Sequence, residues 1–326
     1  MMKKTVTATS TFILLLTLAS VTATAATCPD TSATDNSPSN PIPAAKKFRH
    51  WGSRLLSFIH TPYHMVYDAL VSEGANATMV GKFDYGWTSH KDLEDEEIEV
   101  YLSGTGMKDW EYLGTYTTDS DGKIYVPVSA RPAGHYKVQM IVSGDMSSAT
   151  GYLTVVEPGT KAVMFDIDGT LTQDDFEAIG DYLGIGIAQP YYYAPETVRA
   201  YKDKGYCITY LSARPYWLMK DTREWLDHMD IPLLHTHTDP DAEIFKSKDT
   251  AGYKTDYINS LISAGLDIIR VYGNAATDIE AYANAGIPKS ETYIIGDLAG
   301  VQGTQPMNGD YSHHYSTVVV NTPNAQ

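Results

Sequence analysis

Four near-continuous apolar runs in the second half of the chain constrain its fold more than any other feature. The runs KAVMFDI, CITYLSA, LDIIRVYG and TYIIGD alternate with segments of helical character. Strands that read as continuous apolar runs are buried on both faces, and strands that alternate with helices build parallel sheets. Residues 158–326 are therefore predicted to form an α/β domain with a Rossmann-like parallel sheet.

Polar side chains stand at the ends of these runs. Asp166 and Asp168 follow the first run in AVMFDIDGTLT, and Ser212 closes the second. Lys254, in GYKTDYINSL, and Asp278, in GNAATDIEAY, flank the third run. Ligands of parallel sheets bind outside the carboxyl ends of the strands. We therefore expect these five residues to meet at one edge of the sheet.

Residues of these types in this order predict phosphoryl transfer. Asp166 would attack phosphorus and form an aspartyl phosphate, which divides one difficult displacement into two easier ones. Asp168 would protonate the leaving oxygen and later deprotonate the hydrolytic water. Hydrogen-bond donors and positive charge are needed where charge spreads over the phosphoryl oxygens. The residues predicted to supply them are Gly169, Thr170, Ser212 and Lys254.

The same acids suggest a divalent cation. Mg²⁺ prefers oxygen ligands and is bound through one or two carboxylates together with water and substrate phosphate. The predicted cofactor is therefore Mg²⁺, held by Asp166, Asp168 and Asp278. Two further sets have spacings that a metal could use, although structural roles explain them more simply: His60, His64 and Asp68, and His235 with His237.

The segments DIDGT, LSARP and GNAATD, with Lys254 between the last two, resemble the four motifs of the haloacid dehalogenase superfamily of phosphatases. Within that superfamily, GYCITYLSARP and YGNAATDIEAYANAGIP are most similar to the carboxyl-terminal domain shared by lipins and the Nir/RdgB phosphatidylinositol-transfer proteins. The resemblance covers about residues 160–300. It implies a fold of haloacid dehalogenase type and Mg²⁺-dependent hydrolysis of phosphatidate. Some Nir-type relatives lack the nucleophile and only bind phosphatidate, so the presence of both acids favours an enzyme.

The first half of the chain has a different rhythm. Residues 70–157 contain short runs bounded by turn signals, and several of them alternate polar and apolar residues. This pattern predicts a small antiparallel β-sandwich of immunoglobulin-like or transthyretin-like type. Residues 1–26 have the plan of a signal peptide, which predicts a secreted or periplasmic protein. Residues 27–45 are polar and rich in Ser, Thr and Pro, and are expected to form a disordered linker.

Residues 46–69 begin with the basic amphipathic segment KKFRHWGSRLLSFIH. On a helix, its apolar residues would form one stripe that either packs on the protein's own domain or contacts a membrane surface. The placement of the two cysteines favours free thiols over a disulfide, because Cys28 lies in the polar segment and Cys207 in an apolar run.

The formal net charge is −16. Nucleic acid is an unsuitable partner for such a chain, because nucleic-acid binding neutralises phosphates with Lys and Arg. A phosphate ester would instead need a local positive site. Three functions stay open: an exported Mg²⁺-dependent phosphatase acting on phosphatidate or a related phospholipid, a broad-specificity periplasmic acid phosphatase for soluble phosphomonoesters, and a non-catalytic phospholipid-binding module.

Overall fold

The structure is a computed structural model that describes residues 26–86, 90–173, 188–239 and 249–325. The predicted signal peptide lies outside this range except for Ala26. The chain is a mixed α/β protein with a β-sandwich region followed by a parallel sheet. The fold class predicted from the apolar runs is therefore confirmed at this level.

Two helices precede the sandwich region: α1 (Ser32–Asp35) and α2 (Trp51–Ile59). Its strands are β1 (Met65–Val66), β2 (Ala69–Ser72), β3 (Ala77–Lys82), β4 (Asp84–Tyr85), β5 (Lys91–Asp92), β6 (Glu97–Gly104), β7 (Glu111–Thr117), β8 (Lys123–Val128), β9 (Gly134–Val142) and β10 (Ser148–Val156). The first strands therefore lie before residue 70, where the sandwich was predicted to begin.

The sandwich packs two sheets around one apolar core. One sheet has the strand order β2-β10-β9-β6-β7, and the other has the order β1-β3-β8. Alternate residues of β8 are buried, as expected for a strand with one face on the core. The prediction of an antiparallel sandwich needs one correction. β2 and β10 pair in parallel. These two strands are far apart in the sequence and no hairpin joins them, so an antiparallel arrangement is not imposed on them.

The second region contains β11 (Thr160–Phe165), β12 (Cys207–Pro215), β13 (His235–Asp239), β14 (Leu266–Gly273), β15 (Thr292–Ile295) and β16 (Gln305–Met307). Its helices are α3 (Ala194–Asp203), α4 (Met219–His228), α5 (Thr250–Ser263), α6 (Ala276–Asn284) and α7 (Ser312–His314). All six strands are parallel, in the order β13-β12-β11-β14-β15-β16. The order reverses at β11, and such a reversal opens a crevice beyond the carboxyl ends of the strands.

Residues 27–45 are not a disordered linker. Cys28 forms a disulfide with Cys207 at the start of β12, and the Cys28 amide donates to the carbonyl of Gly205. Further along, the indole of Trp110 donates to the carbonyls of Pro38 and Ser39. The expectation of two free cysteines was wrong because the fold brings together two residues that are 179 positions apart in the sequence.

Asp68 connects the sandwich to the parallel sheet. Its carboxylate is buried and accepts hydrogen bonds from Arg223 of α4, at 2.5 Å, and from the amide of Thr236, at 3.0 Å. His64 is buried beside the sandwich core, whereas His60 is exposed. These three residues do not form the metal set considered above, since strand β1 rather than a helix runs between His64 and Asp68.

Buried histidines predict acid sensitivity. Burial lowers the pKa of five of them, to about 4 for His64 and His135 and to about 3 for His235, His237 and His314. The unfolded chain therefore binds more protons below pH 6.5, and each histidine costs about 1.4 kcal/mol of stability per pH unit down to its folded pKa. Burial also raises the pKa of Asp68 and Asp166. These two carboxyl groups bind protons more readily in the folded chain, so they favour the folded state as the pH falls.

We therefore expect the free energy of unfolding, measured in urea, to fall between pH 7 and pH 5. In the variant His135→Gln, the slope of this free energy against pH should be smaller by the contribution of about one proton, because a neutral amide replaces a titrating ring. A stability that rises on acidification would contradict this expectation.

Candidate functional site

The strand-end site begins where β11 ends. Asp166 directly follows this strand, and its amide donates to the carbonyl of Tyr272 in β14, at 3.0 Å. This bond ties the start of the loop that follows β11 to the neighbouring strand β14. Gly169 has a φ of 69°, a left-handed conformation that glycine adopts at low cost. The Gly169 amide donates to the Thr172 hydroxyl at 3.1 Å, so in this structure the amide is used by a hydrogen bond within the loop.

Lys254 lies between two carboxylates at the centre of the site. Its Nζ is 2.6 Å from Asp166 Oδ1 and 2.7 Å from Asp278 Oδ1. The Thr170 hydroxyl is 3.0 Å from Asp166 Oδ2. All four side chains are buried. Of the five residues expected to meet at one sheet edge, the structure brings three, Asp166, Lys254 and Asp278, into direct contact, and Thr170 joins them.

Asp278 is fixed by its own helix. Its Oδ2 accepts from the amides of Asn274 and Ala275, each at 3.0 Å, which caps the first turn of α6. Its Oδ1 is left for Lys254. A Cβ on Gly273 would come within 2.6 Å of the Asp278 side chain, so glycine is required at that position. Asp278 therefore combines a helix cap with an ion pair.

Asp168 is held apart from this cluster by Arg214. The guanidinium donates to both carboxylate oxygens, from Nε to Oδ2 and from Nη2 to Oδ1, each at 2.8 Å. Ser212 donates to Oδ2 at 3.2 Å and accepts from the Arg214 amide at 3.1 Å. The third guanidinium nitrogen donates to Thr222. Ser212 thus contacts Asp168 directly.

Arg214 was present in the quoted segment LSARP but received no predicted role. A usable signal existed, because residues two apart on a strand face the same side of the sheet. Arg214 therefore shares the face of Ser212 on β12. The ion pair joins the ends of β11 and β12, which the parallel sheet brings to one edge, but which side chains pair at that edge is set by the packing.

Burial and charge act against each other in the site. Burial raises the pKa of Asp166, the Lys254 ammonium lowers it, and the net shift is upward. For Lys254, burial disfavours the ammonium, but Asp166 and Asp278 outweigh this effect and raise its pKa. The lysine is thus charged at neutral pH and supplies the local positive charge that an anionic substrate needs in an acidic protein.

The carboxylates fit the predicted Mg²⁺ in part. Asp166 and Asp278 each direct one oxygen at Lys254 Nζ, so the two carboxylates are close enough to share a hard cation, but the ammonium fills the point on which these oxygens converge. The Asp168 side chain does not fit, since Arg214 occupies both of its oxygens. In the part of the chain that the structure describes, no cluster of three or more His, Cys, Asp or Glu residues could hold a metal.

The remaining candidate metal residues lie elsewhere. His235 and His237 are on β13, where the His237 ring stacks on Tyr257 with centroids 3.5 Å apart. His235 Nε2 is 2.5 Å from the Tyr257 hydroxyl. Both imidazoles therefore pack against α5 as structural residues.

Two family models match the chain. Residues 62–155 match the beta-sandwich domain of PITM 1-3, and residues 163–296 match the LNS2 domain of PITM 1-3. Both regions of the chain are therefore similar to domains of PITM 1-3. The LNS2 family has a haloacid dehalogenase-like fold, which agrees with the parallel sheet and its strand-end acids. The predicted resemblance to Nir/RdgB proteins is confirmed.

Curated relatives point the same way. The chain is 32% identical over 241 residues to membrane-associated phosphatidylinositol transfer protein 1 of Rattus norvegicus. It is 29% identical over 245 residues to protein retinal degeneration B of Drosophila melanogaster. Each match covers 72% of this chain and 18% of the relative, so the chain spans about a fifth of these proteins.

These relatives correct the predicted localisation. A secreted or periplasmic protein was expected from residues 1–26, but the relative phosphatidylinositol transfer protein 1 is membrane-associated by name. The expectation was wrong because an apolar stretch after two lysines is a local pattern that does not by itself establish export. In the described ranges, none of the helices is long and apolar enough to cross a bilayer.

Solved structures with a similar arrangement include phosphatases. A phospho-aspartyl intermediate analogue of phosphoserine phosphatase aligns with 14% identity and a TM-score of 0.29, over 43% of this chain and 87% of that one. A class C acid phosphatase from Bacillus anthracis with bound tungstate aligns with 19% identity and a TM-score of 0.29, over 37% and 54% of the two chains. At these scores the alignments carry no conclusion about activity.

Proposed function

We propose that the strand-end site hydrolyses the phosphomonoester of phosphatidate or of a related phospholipid through an aspartyl phosphate on Asp166. The observation that carries the proposal is the buried contact of Lys254 with both Asp166 and Asp278. The contact supports the proposal because a carboxylate able to attack phosphorus, a positive charge and a second carboxylate lie close enough to contact a single phosphate group. The name of one relative, membrane-associated phosphatidylinositol transfer protein 1, supports a phospholipid as the substrate class.

The reaction proceeds in two displacements. A carboxylate oxygen of Asp166 attacks phosphorus, the bond from phosphorus to the lipid oxygen breaks, and Asp168 protonates that oxygen. Asp168 then removes a proton from water, which attacks phosphorus and breaks its bond to Asp166. Inorganic phosphate leaves and Asp168 is protonated again. Lys254 stabilises the charge on the phosphoryl oxygens during both steps.

Mg²⁺ would be held by Asp166 and Asp278, whose Oδ1 atoms both point at Lys254 Nζ, so the ammonium would have to move aside for the ion. When bound, it would neutralise charge on the phosphoryl oxygens. Thr170, next to Asp166, keeps the nucleophilic carboxylate oriented. Gly169 and Ser212 are proposed as further phosphate contacts, although both already make internal hydrogen bonds that substrate would have to replace.

The test is a comparison of initial rates on three phosphomonoesters: short-chain phosphatidate, a nucleoside monophosphate and an aryl phosphate. We expect Mg²⁺-dependent phosphate release that is fastest on phosphatidate and lost in EDTA. Faster release from the two soluble esters would move the substrate class to soluble phosphomonoesters while keeping the mechanism.

A second candidate is phospholipid binding without turnover. Two observations favour it: Arg214 occupies both oxygens of Asp168, and the relatives are named as transfer proteins. Such a module would bind phosphatidate and release no phosphate from any ester. Binding of phosphatidate, with no phosphate release from any of the three phosphomonoesters, would establish this second candidate.

The variant Arg214→Gln separates these two candidates further. In an enzyme, Arg214 positions Asp168, so its loss should lower kcat by roughly 10²-fold, the usual scale for a general acid–base group, with a smaller change in KM. Thr222→Val is the matched control, since it removes another partner of the same guanidinium and leaves the Asp168 contacts in place. An unchanged kcat in Arg214→Gln would contradict this positioning role.

A further inference from the structure

Helix α2 turns most of its apolar residues away from the protein. Ser53 is buried and Leu56 packs on the sandwich core. On the opposite side, Trp51 is 81% exposed and Phe58 88% exposed, with Leu55 and Ile59 exposed beside them. These four recur at intervals of three and four residues, which places them on one face of a helix. Phe48, which the sequence assigns to the same apolar stripe, packs against the sandwich core, but the face formed by these four residues has no covering element among the described residues.

Positive charge borders this exposed face. Arg54 and Lys47 are exposed, and neither makes an ion pair within the described ranges. Lys46, by contrast, pairs with Glu97 and Glu99, and Arg49 pairs with Asp95. In a chain of net charge −16, two free cations beside exposed aromatic rings are a local exception. Cations flanking a Trp and Phe face match the charge and polarity profile of an anionic bilayer surface.

The helix also ends close to the strand-end site. Just after α2, the carbonyl of Thr61 accepts from the Gly86 amide, and the amide of Tyr63 donates to Asp84. The Asp84 carboxylate accepts from the Tyr216 hydroxyl at 2.5 Å, and Tyr216 is the second residue after Arg214. A short chain of contacts therefore links the end of α2 to the end of β12.

We infer that α2 is a membrane-docking helix that lies in the headgroup region of an anionic phospholipid bilayer. Trp51, Leu55, Phe58 and Ile59 enter the bilayer surface, and Lys47 and Arg54 contact anionic headgroups. The helix has nine residues and binds the surface without crossing the bilayer. The surface lies outside both family-model matches, the first of which begins at residue 62.

The experiment is vesicle co-sedimentation of the full chain on phosphatidylcholine vesicles with and without phosphatidylserine. Phosphatidylserine has no phosphomonoester, so it reports on docking and not on recognition at the strand-end site. We expect binding that requires phosphatidylserine and that weakens on the order of tenfold or more in Trp51→Ala/Phe58→Ala. Lys47→Glu/Arg54→Glu should lose the phosphatidylserine dependence.

Matched controls are Tyr112→Ala and Tyr125→Ala, because both rings are exposed on the sandwich surface. They should bind vesicles as the unaltered chain does. Asp166→Asn should also bind normally, so that failure of the site chemistry and failure of docking are distinguishable. Equal binding by Trp51→Ala/Phe58→Ala would overturn the inference. The inference would also be overturned if the unaltered chain did not bind vesicles but formed a dimer that Trp51→Ala/Phe58→Ala disrupts. That result would assign the exposed face to a second copy of the chain.

Discussion

Asp166→Asn is expected to reduce phosphate release by on the order of 10⁴-fold or more, the scale on which loss of a nucleophile acts. An amide cannot attack phosphorus, while its size and shape match those of the carboxylate. Lys254 keeps Asp278 as a partner, so the variant should fold. The measurement is the rate of phosphate release from short-chain phosphatidate at saturating Mg²⁺, with folding checked by circular dichroism.

Asp256→Asn is the matched control for this loss. Asp256 lies on α5, the same helix as Lys254, but it is exposed. The same change of aspartate to asparagine should leave its rate unaltered. Comparable loss in both variants would mean that the effect comes from charge or stability, and the role of Asp166 as nucleophile would be wrong.

Lys254→Met is expected to have the largest effect on stability. The substitution leaves Asp166 and Asp278 as two neighbouring buried carboxylates without their shared cation. Breaking a buried ion pair by removing one partner costs about 3–5 kcal/mol. Urea unfolding should show this loss, and phosphatidate binding should disappear because the positive charge of the site is gone.

A double variant tests the cause of that destabilisation. Lys254→Met/Asp166→Asn removes one of the two stranded charges, so it should be more stable than Lys254→Met alone. The two residues are in direct contact, and the energies of contacting residues are not additive. Strict additivity of the two single substitutions would show that the ion pair does not hold the site together.

The sequence predicted the parallel sheet and its strand-end cluster because each depends on a local signal. Continuous apolar runs identify buried strands, and acids at their ends mark the edge where ligands bind. The fold then brings Lys254 to Asp166 across 88 positions of sequence. Parallel topology makes such a contact predictable, since every strand's carboxyl end meets the same edge.

Other features depend on partners that no local pattern identifies. The pairing of Arg214 with Asp168 is set by packing among several polar side chains at the same sheet edge, and the Cys28–Cys207 disulfide joins a polar segment to a central strand. Residues 27–45 have the composition of a linker, yet the disulfide and distant hydrogen bonds hold them in place. The period of α2 predicted its apolar stripe, but only the packing shows that Leu56 faces the sandwich and Trp51 faces outward.

The most direct test of the proposed phosphatase activity is phosphate release from short-chain phosphatidate by the unaltered chain and by Asp166→Asn, side by side with Mg²⁺ and with EDTA. The account predicts metal-dependent release by the unaltered chain and none above background by the variant. Equal release by both proteins, or no release by the unaltered chain from any phosphomonoester, would contradict it.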